Sequence, residues 1–277
     1  MGQPLSNATR VFRKDGKERH TNDRRRDPLT QDKLGELKYQ EGENLSPEDV
    51  EKRMVLLESV TAEAVNRLEL DGLLHYLSKY VDLSKDYRCL DSGCSMGAIS
   101  YVLEGKTSFR MVGVDISRQL VVAGNRYKKA HGFKTELLVG DLENLCFKDD
   151  SFDIVLVHDT LHHFPDLDVP LKAIYRILKK GGKLVVDDGN MLYWPILLKA
   201  FKRKFKKELW GSVNEWPITK FRLLKSLKRT EFRVTRLDNV RYLPLRFAGN
   251  RLDVDDFFSK IPVVNLFGSR IFCLAQK

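Results

Sequence analysis

The sequence predicts an α/β domain built on a doubly wound, mostly parallel sheet of seven strands, with an antiparallel strand at one edge and a helical lead-in at the N-terminus. Three observations predict it. From Tyr87 onward, short β-branched runs alternate with amphipathic helical patterns, the rhythm of right-handed βαβ units. A turn with two glycines, Gly93 and Gly97, joins the first strand to the first of these helices. The last two strand-like stretches are separated by a short loop-helix rather than a full crossover, so they are expected to pair antiparallel at one edge. A chain of 277 residues, 42% hydrophobic and 31% charged, is long enough for one large core.

Taken in order, residues 1–44 hold few apolar side chains, many charges and the run Arg24-Arg25-Arg26. Such a segment buries too little surface to offset its ordering entropy and is expected to be a disordered tail. The domain is placed at residues 45–277. Ser46-Pro47-Glu48-Asp49 supplies an N-cap, a proline at the first helical position and acids in the first turn. Val50, Met54, Leu57, Thr61, Ala64 and Leu68 then recur at helical spacing, and a second helix is expected from Leu73 to Tyr80. Both are expected to pack on the core, with a lid role as the lesser option. Strands are expected at Arg88–Leu90, Phe109–Val114, Thr135–Val139, Phe152–Val157 and Lys183–Val186. Helices are expected around Ala98–Glu104, Arg118–His131 and Leu167–Leu178, with Gly181-Gly182 ending the last. Residues 83–189 form this core unit, and residues 190–231 read as a helical insertion. The insertion holds a basic amphipathic pattern, Leu192–Trp210, and a second helix, Thr219–Arg229. Phe232–Tyr242 and Val263–Ala275 are the closing strands.

Composition narrows the function. No apolar run approaches the roughly 20 residues needed to span a bilayer, and the N-terminus lacks the apolar stretch of a secretory signal. Cys89, Cys94, Cys146 and Cys273 are scattered, with no Cys-x-x-Cys pair. That speaks against a metal site or a disulfide framework and fits a cytoplasmic location. The net charge of +10 suits nucleic acid, an anionic membrane surface or an acidic molecule. Peripheral contact with a membrane through the basic 192–210 pattern therefore stays open beside a plain cover helix.

The chemistry gathers at the strand ends. Leu90-Asp91-Ser92-Gly93-Cys94-Ser95-Met96-Gly97 runs from strand to turn to helix, and the helix aims its free N–H groups into the turn. In a parallel sheet, ligands bind outside the carboxyl ends of the strands. Asp91, Asp115 and Asp141 stand just past three successive strands and so line one crevice. Asp115 lies about twenty residues beyond the turn, the spacing at which a carboxylate grips the two hydroxyls of a ribose. At Gly140-Asp141-Leu142 an acid can accept from an exocyclic amine while Leu142 packs an aromatic ring. A dinucleotide fits poorly. The turn departs from Gly-x-Gly-x-x-Gly, and Asp91 would repel a pyrophosphate. A nucleoside with a cationic, amino-acid-like tail fits better.

These segments resemble the class I S-adenosylmethionine-dependent methyltransferases, in the small-molecule group (type 11) that includes the quinone-ring methyltransferases. The turn resembles the family's first motif, with Ser95 where the middle glycine usually stands; that exchange is tolerated if the Ser95 backbone is ordinary. Val114-Asp115-Ile116-Ser117 and Gly140-Asp141-Leu142 resemble the ribose-side and adenine-side acids. Ser151–Phe164 resembles the fourth strand with its Leu-His-His loop, and Arg176–Leu184 the approach to the fifth. The likeness covers about Tyr87 to Asp188 and implies a Rossmann-like fold with S-adenosyl-L-methionine as cofactor. The implied cofactor residues are Asp91, Gly93, Cys94, Ser95, Gly97, Asp115, Ile116, Asp141, Leu142 and His158, with no metal. His162 and His163 are the candidates for a base, His162 slightly ahead. The implied reaction moves a methyl group in line to a small-molecule or lipid-like acceptor. A nucleic acid substrate is disfavoured, because His158-Asp159-Thr160-Leu161 replaces the Asn/Asp-Pro-Pro-aromatic run of base methyltransferases. The alternatives are a non-catalytic cofactor-binding member of the fold and an RNA-directed methyltransferase using the basic surface.

Overall fold

The computed structural model describes residues 46–61, 67–193, 218–241, 257, 260–261 and 264–277. The predicted tail at 1–44 lies outside these residues, as does nearly all of the predicted 192–210 helix. Ser46 and Asp49 form a reciprocal capping box that starts helix α1, Pro47–Thr61. The Asp49 N–H donates to Ser46 Oγ at 3.1 Å and the Ser46 N–H to Asp49 Oδ2 at 3.0 Å. Helix α2, Arg67–Ser78, follows. The core then alternates β1 (Arg88–Ser92), α3 (Ala98–Lys106), β2 (Arg110–Asp115), α4 (Arg118–His131), β3 (Glu136–Val139) and β4 (Phe152–His158). Next come a 3-10 turn at Leu161–His163, α5 (Asp168–Ile177), β5 (Leu178–Gly189), α6 (Lys220–Arg229), β6 (Arg233–Val240) and β7 (Arg270–Gln276).

The seven strands lie in the order β3-β2-β1-β4-β5-β7-β6. Strands β1 to β5 pair in parallel. Strand β7 runs antiparallel to both β5 and β6, so the expected antiparallel pairing falls at one edge of the sheet. One face buries Leu90, Val155, Val186 and Ile271 with Leu171 and Ile174 of α5 and Leu223 and Leu227 of α6. The other face is covered by the earlier helices, through Leu73 and Tyr76 of α2, Leu103 of α3, and Leu120 and Tyr127 of α4. Alternating side chains on near-continuous apolar strands supply both layers.

Several boundaries differ from the sequence expectation: α2 begins at Arg67, six residues before the expected Leu73, and two further differences have a visible cause. Helix α5 stops at Ile177, where Leu178 turns to extended backbone (φ −69°, ψ 137°). Gly181 and Gly182 therefore lie inside β5 rather than at a helix end. The reason is the register: Leu178 pairs with Phe152, and Lys183 with Ile154 after an irregularity between them, so the intervening residues bulge. The last strand starts at Arg270, not near Val263, because Val264–Leu266 winds into a 3-10 turn.

Candidate active site

The sheet register puts the sequence-predicted residues in one row. Asp115 is level with Val139, Ser92 with Val114 and Val157, and His158 with Asp187. Gly93 therefore leaves β1 between the ends of β2 and β4. Its φ is +84°, and a Cβ there would meet Thr160 Oγ1 at 2.3 Å, so only glycine lets the turn pass so close to the β4 loop. The Gly93 and Cys94 N–H groups both donate to Val114 O, at 2.8 and 3.0 Å. Gly97, at φ +87°, opens α3.

Ser95 has φ +52°, in the left-handed region. The condition for an unstrained serine there, an ordinary backbone, is thus not met: Ser95 adopts the conformation a glycine would supply, and the loop keeps its shape under strain. Its N–H donates to Asp115 Oδ2 at 2.7 Å, which compensates part of that strain. A Ser95→Gly substitution is expected to raise stability by up to about 1 kcal/mol, seen as a melting temperature about 2–4 °C higher. An unchanged or lower value would contradict the strain.

Both acids beside the turn are buried. Asp91 is 1% exposed and accepts from Ser100 Oγ at 2.7 Å. Burial pushes its carboxyl up to about 6, against the Ser100 hydrogen bond and the nearby His158 charge. Burial also raises the Asp115 carboxyl, against N–H donation from Ser117 and Ser95 and the charges of Arg53 and His163. Arg53 belongs to α1, which packs Leu57 with Cys94 and Met96 in one cluster, so that helix covers the turn as a packed element. Ile116 is half-buried beyond Asp115. The loop after β3 is tied to Asp115 by a 2.9 Å bond from Gly140 N–H to Asp115 O. Asp141 is half-buried, and its Oδ1 accepts from Glu143 N–H at 2.9 Å. Cys94 and Leu142 point their side chains into apolar clusters, Cys94 beside Met96 and Leu142 beside Leu145. A ligand would meet chiefly their backbone.

Beyond β4 the two candidate histidines divide. Their rings are 4.2 Å apart between centroids. His162 Nδ1 lies 2.9 Å from Asp188 Oδ1, while His163 adds its charge beside Asp115. Asp188 is fully buried, at 0% exposed. It accepts from Thr160 and Leu161 N–H through Oδ2 (3.1 and 2.9 Å) and from Gly189 N–H through Oδ1 (2.7 Å). Burial alone would raise its carboxyl; the bond to His162, the charges of His162 and Arg270 and the Gly189 N–H hold it below the usual range instead. One buried carboxylate thus pins the 3-10 turn and orients the imidazole.

Asp187, Asp188 and Arg270 were not singled out in the sequence. Arg270 of β7 donates to Asp187 Oδ1 at 2.8 Å and to Asp159 Oδ1 at 2.6 Å, and its Nη2 lies 3.3 Å from His158 Nε2. His158, a predicted cofactor residue, is held in this cluster, with Asp187 Oδ2 at 3.6 Å and Asp159 Oδ2 at 3.5 Å. Asp159, His162 and Asp188 also bring possible metal-ligating atoms within 4.8 Å of one another. Of these, Asp188 accepts four hydrogen bonds and Asp159 holds the Arg270 guanidinium. The signal for Asp187 and Asp188 was present: Val186-Asp187-Asp188-Gly189 ends an apolar strand in acids, as β1 and β2 do.

Residues 90–186 match the family described as Methyltransferase domain. Over these residues the chain is similar to methyltransferase domains. A sterol 4-C-methyltransferase of Caenorhabditis elegans is 29% identical over 43% of this chain and 36% of its own length. A ubiquinone/menaquinone biosynthesis C-methyltransferase of Agrobacterium fabrum is 28% identical over 55% of this chain and 60% of its own. Both matches span less than two thirds of the relative. Among solved structures, an S-adenosylmethionine-dependent methyltransferase of Thermotoga maritima aligns with a TM-score of 0.57 at 19% identity, covering 82% of this chain and 95% of that one. Two of the three strand-end acids are tied to the turn or the helix it opens, Asp115 by the Ser95 N–H and Asp91 by Ser100, and the loop that carries Asp141 is tied to Asp115 through Gly140. Among the described residues, no helix is long and apolar enough to cross a membrane.

Proposed function

We propose that the protein is an S-adenosylmethionine-dependent methyltransferase acting on a small-molecule or lipid-like acceptor. The observation that carries this reading is the pair of buried carboxylates at the glycine turn, Asp91 and Asp115, both raised above their ordinary values by burial. Each is an acceptor held at electrostatic cost, and each is relieved by a ligand that brings an ammonium or hydroxyl donor. Asp91 would hold the cationic amino-acid end, Asp115 the ribose hydroxyls, and Asp141 the adenine side. Gly93, Cys94, Ser95, Gly97, Ile116, Leu142 and His158 would line the same crevice. Bound S-adenosylmethionine supplies an activated methyl group.

The protein's own part is then to position the acceptor, exclude water and move a proton. In its neutral form, with Nδ1–H donating to Asp188, His162 is placed to take a proton at Nε2 from an acceptor O–H, N–H or acidic C–H. His163 flanks Asp115 and serves the cofactor side. Two relatives carry the names of C-methyltransferases of a sterol and of ubiquinone/menaquinone biosynthesis. An apolar ring compound is accordingly the acceptor class proposed here.

Asp115→Ala is expected to weaken S-adenosylmethionine binding at least about tenfold, the worth of a charge-assisted pair to ribose hydroxyls. Calorimetric titration checks it, and an unchanged affinity would remove the ribose assignment.

A further inference from the structure

Helix α6 reads Lys-Phe-Arg-Leu-Leu-Lys-Ser-Leu-Lys-Arg and contains no acid. Leu223, Ser226 and Leu227 turn one side of it into the core. At about 100° per residue the opposite side is centred on Phe221, Lys225 and Lys228. All three are exposed, and Phe221 keeps 60% of its surface open. Arg229 at the far end is spent on Asp168, with bonds of 2.6 and 2.8 Å, so the outward charge belongs to the two lysines. A large open aromatic with lysines one and two turns along is poorly suited to water alone. It suits the bilayer interface, where the ring enters the headgroup boundary and the lysines meet anionic headgroups.

The position matters as much as the pattern. The first turn of α6 adjoins the proposed reaction site: Arg222 Nη2 donates to Phe164 O at 2.7 Å and Pro165 O at 2.9 Å, directly after the two histidines. Lys220 Nζ donates to Asn265 Oδ1 at 2.9 Å, and Phe267, two residues on, is 43% exposed. We propose that this outward face of α6 docks on an anionic lipid bilayer. The net charge of +10 favours such a surface over a neutral one. Docking would set the site's mouth against the membrane, the phase in which a lipid-like acceptor is dissolved. That consequence rests on the methyltransferase reading; the docking itself does not.

The test is co-sedimentation of the full chain with phosphatidylcholine vesicles, with and without phosphatidylglycerol. Wild type is expected to pellet with the anionic vesicles and much less with the neutral ones. Phe221→Ser and the pair Lys225→Glu/Lys228→Glu are each expected to lower partitioning at least about tenfold. No wild-type binding to anionic vesicles overturns the proposal. Variants that bind as well as wild type overturn it too, by placing the contact elsewhere on the chain. So does a lysine-only effect that double-stranded RNA competes away, which marks a polyanion contact. Calorimetry with S-adenosylhomocysteine on the same variants is expected to give wild-type affinity, since none of these exposed side chains belongs to the glycine turn or its acids. Loss of that binding in the wild type would sink the methyltransferase reading and leave the vesicle result standing.

Discussion

Asp188→Ala is expected to lower the unfolding free energy by about 3–5 kcal/mol, the cost of orphaning buried donors and breaking a buried charged pair. Thr160, Leu161 and Gly189 each lose the acceptor of a backbone N–H, and His162 loses the partner of Nδ1. Asp188→Asn separates stability from chemistry. Each carboxylate oxygen receives two donors, so an amide nitrogen in either place faces two N–H groups, at a cost of about 2 kcal/mol. Methyl transfer by the Asn protein is expected to fall about 10²–10⁴-fold, the usual worth of a positioned base. His162→Ala is the companion. His162 is a partly exposed side chain, so the fold should lose less than about 1 kcal/mol while turnover falls by a similar 10²–10⁴. Chemical denaturation and a labelled-methyl assay read the two effects. A His162→Ala protein with unaltered turnover would remove that histidine as the base.

Asp91→Asn is expected to stabilise the ligand-free protein at pH 7.5 by about 1–3 kcal/mol and to weaken S-adenosylmethionine binding at least tenfold. The sign follows from linkage. The Asp91 carboxyl rises from 3.8 to about 6 on folding, so the folded state favours its neutral form. Its contribution is fully present below pH 3.8 and is lost as pH rises through about 6. The shift corresponds to roughly 3 kcal/mol at neutral pH, an upper figure, since an amide also resists burial. Asp187 and Asp188 act oppositely: both are held below their ordinary values, so their stabilisation is lost as pH falls through the depressed folded values. The gain from Asp91→Asn should therefore appear at pH 7.5 and vanish below about pH 4. A gain independent of pH, or a loss at pH 7.5, would contradict the burial argument. A carboxylate kept at such cost beside a glycine turn is stability spent on a site.

Most of the fold was legible because its signals are local. The β-branched runs, the glycine turn and the Ser46–Asp49 cap each occupy a few adjacent residues. The strand-end acids followed from the same alternation. What escaped depends on distance along the chain. Arg270 meets Asp159 across 111 positions and Asp187 across 83, and no spacing rule announces such a pair. The division of labour between His162 and His163 was equally out of reach, since only the folded β5 brings Asp188 to one of them. Leu142 looked like a ring-packing residue, yet its side chain belongs to the apolar core; sequence marks a residue as apolar without saying which surface it packs on. Ser95 shows the same gap at the backbone. A serine in a glycine's place is visible in the sequence, but its φ of +52° is imposed by the turn around it.

The most direct measurement is calorimetric titration of the full chain with S-adenosylmethionine and S-adenosylhomocysteine. The crevice formed by Asp91, the glycine turn and Asp115 is expected to bind both in the micromolar range, about −7 to −8 kcal/mol, with Asp115→Ala and Asp91→Asn each weaker by at least about tenfold. No binding of either compound at millimolar concentration would contradict the assignment of this crevice to the cofactor, and with it the proposed methyl transfer.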